Sequence, residues 1–117
     1  NFFRPWESLE MIGSAIPHNL RKKWKLVVGS SVVKLEETLR SKKTIDVFLH
    51  DSLHTYKNML FEYNTSWPFI KKNGFLISDD ISENNAFLDF YSIVNGSPVL
   101  MTGNQDKEIF LGIIRKK

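Results

Sequence analysis

Residues 45–81, IDVFLHDSLHTYKNMLFEYNTSWPFIKKNGFLISDDI, decide how this chain folds. Two short apolar runs, Ile45–Leu49 and Phe75–Ile77, each end in acid: Asp51 follows the first, and Asp79 with Asp80 follows the second. Between them Tyr56, Met59, Leu60, Tyr63 and Trp67 recur at i, i+3, i+4, i+7 spacing, which predicts a helix from about Thr55 to Phe69. Pro68 bends or ends that helix, and Lys72-Asn73-Gly74 reads as its stop. A strand, a helix and a second strand form the unit that joins parallel neighbours. Ile45–Leu49 has too little polar alternation for a half-exposed strand, so it is expected to be central and covered on both faces. In open parallel sheets ligands bind beyond the carboxyl ends of the strands. Asp51, Asp79 and Asp80 are therefore expected on one functional edge.

The flanks extend the pattern. Upstream, Trp24–Val28 is a strand candidate, closed by Gly29-Ser30-Ser31. Ser30 or Ser31 then caps a helix from Val32 to about Arg40, with Val32, Leu35 and Leu39 in helical register. Pro17–Lys23 suits one short helical turn with Pro at its start. Phe2, Phe3 and Trp6 are too apolar for a free tail, and Pro5 argues against an early helix. Downstream, Ser82 or Glu83 opens a helix with Ala86, Phe87, Phe90 and Ile93 on one face. After a turn at Val94–Pro98, Val99–Met101 and Ile109–Ile114 flank a polar loop and read as a hairpin. The expected order is β-α-β-α-β-α-β-β: an α/β fold, half of a doubly wound sheet, mostly parallel, ending in an antiparallel hairpin.

Composition narrows the function classes. At 117 residues the chain holds one domain at most. It has no cysteine, which removes disulfides, thiolate metal sites and a Cys nucleophile, and fits a reducing, cytoplasmic compartment. No apolar run reaches the length of a membrane span and no signal peptide is visible. The net charge is +3, but Arg21-Lys22-Lys23, Lys42-Lys43, Lys71-Lys72 and Arg115-Lys116-Lys117 fall at helix ends, loops and the terminus. A nucleic-acid footprint needs them on one face, so nucleic acid is not the expected partner. A receiver domain also clusters Asp at strand ends, but its acidic pair follows the first strand, and here the pair comes too late.

Residues 45–81 resemble the C-terminal half of class I S-adenosylmethionine (SAM)-dependent methyltransferases, in particular the family-24 methyltransferase domain group. Members typically carry a strand ending in Asp with a nearby His-Thr/Ser-Tyr, here Asp51 and His54-Thr55-Tyr56. A helix follows, then Trp-Pro-hydrophobic-hydrophobic-Lys-x-Gly-Gly and a strand ending in Asp-Asp. Here that segment is WPFIKKNGFLISDDI, residues 67–81, with Asn73 in place of the first Gly. The preceding IPHNLRKKWKLVVGSSVVKLEETL is similar too, and the resemblance spans most of residues 16–114. It implies a Rossmann-like methyltransferase sheet, SAM as cofactor, and a small-molecule or sugar hydroxyl as methyl acceptor. One departure is large. These enzymes bind SAM with a Gly-rich loop after their first strand, and Gly13, Gly29 and Gly74 form no Gly-x-Gly-x-x-Gly pattern. The expectation is therefore a single partial domain over 1–117 that lacks the N-terminal SAM-binding half. Such a piece would be marginally stable, and a homo-oligomer formed along the Phe2-Phe3-Trp6 end is one way to cover it.

Candidate residues carry competing readings. Carboxylates on adjacent strand tips, about 4.8 Å apart, repel one another unless a cation or proton lies between them. Asp51, Asp79 and Asp80 therefore either hold a divalent ion such as Mg²⁺, cap the neighbouring loop and helix, or meet substrate directly. Metal-dependent O-methyltransferases of similar architecture use acids at such positions to lower the pKa of a substrate hydroxyl. His54 is the candidate general base, with Asp51 beside it, against a plain helix-start role. His50 is expected to pack at its strand end, and His18 to lie on the surface. Gly29, Ser30 and Ser31 would reach the adenine side of SAM by resemblance, or simply form a strand–helix turn. A binding module with the same fold and no catalysis is the alternative function.

Overall fold

The computed structural model describes residues 11–104 and 107–117. The stretch holding Phe2, Phe3 and Trp6 lies outside the described residues. The elements are α1 (His18–Arg21), α2 (Ser31–Lys42), β1 (Ile45–His50), α3 (Tyr56–Ser66), a 3-10 turn (Trp67–Phe69), β2 (Ile70–Ser78), α4 (Ala86–Ile93), β3 (Gly96–Asn104) and β4 (Lys107–Lys116). The strands form one sheet in the order β1-β2-β4-β3. β1 and β2 are parallel, and β4 runs antiparallel to both β2 and β3. The α/β class and the reversed last strand expected from the sequence are both present.

Local chemistry explains the boundaries of α3. Thr55 stands in extended conformation and its hydroxyl accepts from the Asn58 amide at 3.4 Å, satisfying one of the helix's unpaired donors. Pro68 falls in the 3-10 turn, where its missing N–H costs little. Asn73, at φ 67°, turns the chain within the 71–74 bulge that separates the Ile45–Ile70 pair from the Val47–Phe75 pair. The stop expected at Lys72–Gly74 thus lies inside a longer β2. Lys116 ties the end of β4 to this region: its Nζ donates to the carbonyls of Trp67 at 2.7 Å and Ile70 at 2.8 Å.

Helices cover one face of the sheet. Registered neighbours share a face, so Phe48, Leu76 and Ile114 align, as do His50, Ser78 and Gly112. Against them lies the core of Met59, Tyr63, Phe87 and Phe90, all fully buried. Burying each such side chain contributes roughly 1.5–3 kcal/mol. Gly112 is required by this packing, because a Cβ there would sit 2.5 Å from Phe87 Cζ. The opposite face holds Val47 and Leu49, 50% and 59% exposed, with Phe75, Ile77 and Ile113 half-buried.

Two expectations are corrected. Ile45–Leu49 is not a central strand covered on both faces. Among the described residues β1 pairs with β2 alone, at the edge of the sheet, and helices cover the face of Phe48 and His50. Trp24–Val28 is not a strand: the segment pairs with no described strand, and Trp24, Leu26, Val27 and Val28 are exposed. Apolar β-branched composition favours a strand only where a neighbour accepts its N–H and C=O groups. A smaller correction concerns Ile93, which belongs to α4 but is 73% exposed, while Ala86, Phe87 and Phe90 are buried as expected.

Candidate functional site

The tips of β1 and β2 meet as the strand–helix–strand unit requires. The Asp79 amide donates to the His50 carbonyl at 3.0 Å, fixing the two carboxyl ends side by side. Asp80 follows at φ 48°, a left-handed conformation that Asp tolerates better than most residues. It turns the chain toward the loop after β1, where its Oδ2 stands 4.0 Å from His54 Nε2. Asn84 anchors that loop from the other side: its Nδ2 donates to the His54 carbonyl at 3.1 Å. Its Oδ1 accepts from the Ala86 amide at 2.9 Å and so starts α4. Neither Asp79 nor Asp80 caps α4, whose first turn is preceded by Asn85.

Behind this edge lies a polar cluster centred on Glu62. The residues of α3 that turn inward are Met59, Glu62, Tyr63 and Ser66, again at i, i+3, i+4, i+7. Glu62 is 4% exposed. Its Oε2 lies 2.7 Å from His50 Nδ1, and its Oε1 accepts from Ser52 at 2.8 Å and Asn58 at 3.2 Å. The Ser31 hydroxyl, from the first turn of α2, also bonds to this carboxylate. Burial alone would raise the Glu62 carboxyl, but the hydrogen bonds from His50, Ser31 and Ser52 outweigh it and hold it at about 2, against an ordinary 4.5. One carboxylate thus joins α2, the end of β1, the loop after it and α3. Next to it, burial pushes the Tyr63 hydroxyl up to about 12, partly offset by its 2.6 Å hydrogen bond with Ser78 Oγ.

The residues singled out in the sequence fare differently. His54 and Asp80 come together, and Asp79 stands at the tip of β2, its amide bonded to the end of β1. Asp51 is exposed. Among the described residues no group of three His, Asp or Glu side chains is placed to hold a metal ion, so their placement lends no support to the Mg²⁺ site expected at Asp51, Asp79 and Asp80. Of Gly29, Ser30 and Ser31, Gly29 adopts φ 143°, Ser30 precedes α2 without a side-chain cap bond, and Ser31 reaches Glu62. His50 packs at its strand end, fully buried, and His18 is exposed, both as expected. Sequence reasoning missed Glu62. The available signal was an acid in the inward register of α3, three residues after Met59 and one before Tyr63.

A cleft of about 310 Å³ opens at the same edge, between the first turns of α2 and α3, lined by Val32, Leu53, Thr55, Lys57, Asn58 and Phe61. Its volume is at the lower end of small-molecule sites, about 300–1,000 Å³. A larger hollow of about 490 Å³ runs between α2 and α3 toward Pro68 and Phe69, away from the strand tips and their titratable groups. No described helix is long and apolar enough to cross a membrane.

Comparison with known proteins bears on what this edge does. No curated protein and no solved structure matches the chain. A family model described as a methyltransferase domain, the family-24 group, matches residues 2–81, well over half of the 117. That span includes the β1–α3–β2 unit, His54, Glu62 and the Asp79-Asp80 pair, and a methyltransferase domain implies SAM as methyl donor and a small-molecule substrate. The chain belongs to this methyltransferase family.

Proposed function

We propose that the chain takes part in SAM-dependent O-methylation of a hydroxyl on a small molecule or sugar, with His54 as general base. The observation carrying this reading is the position of His54. It sits at the tip of β1 beside the β2 acid Asp80, in a chain whose residues 2–81 match a methyltransferase domain. Its side chain is 21% exposed, so it is sheltered but reachable. SAM, when bound, supplies a methyl group on a sulfonium, and the C–S electron pair returns to sulfur as the methyl leaves. The chain's residues then have two tasks, placing the acceptor oxygen and taking its proton. His54 accepts that proton as the oxygen lone pair forms the new C–O bond. Asp79 and Asp80, at the same edge, accept hydrogen bonds from further hydroxyls of the acceptor.

The described residues fit one end of SAM better than the other. The cleft over Val32, Leu53 and Phe61 suits a planar base, and Ser30 and Ser31 precede Val32 in the chain. For the charged amino-acid end there is no glycine-rich turn of the usual pattern. This mismatch favours a second reading, a binding module with a methyltransferase fold and no transfer activity.

Isothermal titration of the 117-residue chain with SAM separates the two. Measurable binding, weakened by Phe61→Ala in the cleft, supports the enzyme reading and places acceptor screening next. In that screen His54→Asn should lower transfer 10²-fold or more while leaving SAM affinity within about twofold, as expected for loss of a general base. Absence of SAM binding would overturn the enzyme reading for this chain and leave the binding module.

A further inference from the structure

Two buried nitrogens at the strand tips have no hydrogen-bond partner among the described residues: His50 Nε2 and His54 Nε2. Buried polar atoms are nearly always paired, so two orphans on neighbouring rings call for an explanation. The rings themselves supply one. Their centroids lie 5.2 Å apart with an interplanar angle of 79°. An imidazole nitrogen lies about 1.1 Å from its ring centre, so two rings joined by an N–H···N bond of about 2.9 Å have centres about 5 Å apart. The spacing therefore already suits such a bond, and the angle between the planes is free to vary about it. His50 is held by Glu62 through Nδ1, so the motion that would aim His54 Nε2 at it is a turn of the His54 ring about χ2, a broad torsion in histidine.

Proton placement follows from the other end of the chain of contacts. Glu62 accepts from His50 Nδ1, which makes Nδ1 the protonated nitrogen of that ring. With the proton on Nδ1, the other nitrogen of the neutral ring has a lone pair and no hydrogen. His50 Nε2 is then a bare acceptor facing the neighbouring imidazole. The partner it can take is an N–H on His54 Nε2. Once that proton is committed inward, His54 Nδ1 carries the lone pair.

We infer that Glu62 and His50 form a positioning relay that fixes His54 with its proton on Nε2 and its basic lone pair on Nδ1. The sequence Glu62···H–Nδ1 of His50, then Nε2···H–Nε2 of His54, leaves Nδ1 of His54 as the atom that accepts a proton from substrate. His50 and Glu62 touch no substrate in this arrangement and act only through His54. It also accounts for why His54 Nε2 is buried although the side chain reaches the surface: the exposed part of the ring is not Nε2.

The inference rests on His54 being the base of the proposed methyl transfer, yet its test is independent of transfer. Long-range ¹H–¹⁵N correlation spectra of the ¹⁵N-labelled full chain, at mildly alkaline pH, read the protonated nitrogen of each ring. Expected are His50 protonated on Nδ1 and His54 on Nε2. In Glu62→Gln, whose amide can donate as well as accept, His50 should become a mixture, and the His54 nitrogen shifts should move with it although the two residues are not in contact. His50→Phe, which keeps a ring and removes the acceptor, should abolish the His54 preference. A wild-type His50 protonated on Nε2, or a His54 protonated on Nδ1, would overturn the relay even if neither variant folds. Unchanged His54 shifts in a folded Glu62→Gln would overturn it as well. The SAM titration judges the enzyme reading separately, so failure of one is distinguishable from failure of the other.

Discussion

Phe48, Leu76 and Ile114 point into α3 and α4, while Val47, Leu49, Phe75 and Ile77 point out of the same strands one residue away. The two sets are similarly apolar. Yet Leu76 and Ile114 are fully buried, and Val47 and Leu49 are half or more exposed. The difference is one of cover and not of residue type. Polar groups sort with it. The covered face carries His50, Ser78 and the inward acid Glu62, each bonded to a neighbour, whereas the open face of β1 and β2 carries no titratable side chain between Val47 and Ile77 in its aligned positions. The His50–Glu62 pair beside His54 is therefore on the side that helices seal from water.

The sharpest way to break this contrast is to remove the acid that organises the sealed side. Glu62→Ala deletes the partner of His50, Ser52 and Asn58 at once and leaves the His50 donor unpaired inside the fold. Breaking a buried charged hydrogen-bond network of this type costs about 3–5 kcal/mol, read as a drop in urea midpoint or in Tm. The same residue predicts an acid limb. Its carboxyl is held at about 2 when folded, against 4.5 ordinarily, so its contribution is fully present above pH 4.5 and is lost as pH falls toward 2. That contribution is up to about 3 kcal/mol, and the Glu62→Gln variant should flatten the limb. Stability of wild type and Glu62→Gln that falls in parallel between pH 4.5 and 2 would show that the acid limb comes from other carboxylates.

An intermediate effect tests how tightly the covered face is filled. Gly112→Ala places a methyl 2.5 Å from the Phe87 ring and must displace it. Overpacking of this kind costs about 1–3 kcal/mol. Phe87→Leu in the same chain should relieve part of it, so that the double variant is more stable than the two single costs summed. Strict additivity would mean that the ring and the strand do not share the space.

Legibility from the sequence follows the same division. The β1–α3–β2 unit could be read because its apolar runs and its helical stripe have different periods, and because acids mark the strand ends. That His54 and Asp80 lie at one edge of the sheet could be read because both are within a few residues of those ends. Ile45–Leu49 was misread because a continuous apolar run is the same whether one face or two are covered, and cover comes from elements outside the run. Trp24–Val28 was misread for a related reason: composition proposes a strand, and only a neighbour makes one. The Mg²⁺ reading of Asp51, Asp79 and Asp80 assumed that adjacent tips bring their carboxylates together. Backbone contact between His50 and Asp79 does form, but among the described residues it is not accompanied by a group of three acids or histidines. Glu62 escaped notice because an acid within a helix is normally a solvated surface residue. Only the three-dimensional meeting with His50, twelve residues earlier, shows its role.

The smallest expected effect probes the open face itself. Val47→Thr and Leu49→Thr exchange apolar groups for polar ones at positions half or more exposed, without touching the helices or the Glu62 cluster. Threonine keeps β propensity, so the strand is not penalised. Exposed substitutions away from special features usually change stability by less than about 0.5 kcal/mol. The double variant should therefore melt within a degree or two of wild type, and the melting temperature should not depend on protein concentration. A loss above about 1 kcal/mol, or a wild-type Tm that rises with concentration, has one physical meaning. It would mean that something covers Val47 and Leu49 in solution, because only burial lets two surface-to-polar changes cost so much. The contrast between the faces would then belong to the isolated chain and not to its assembled form.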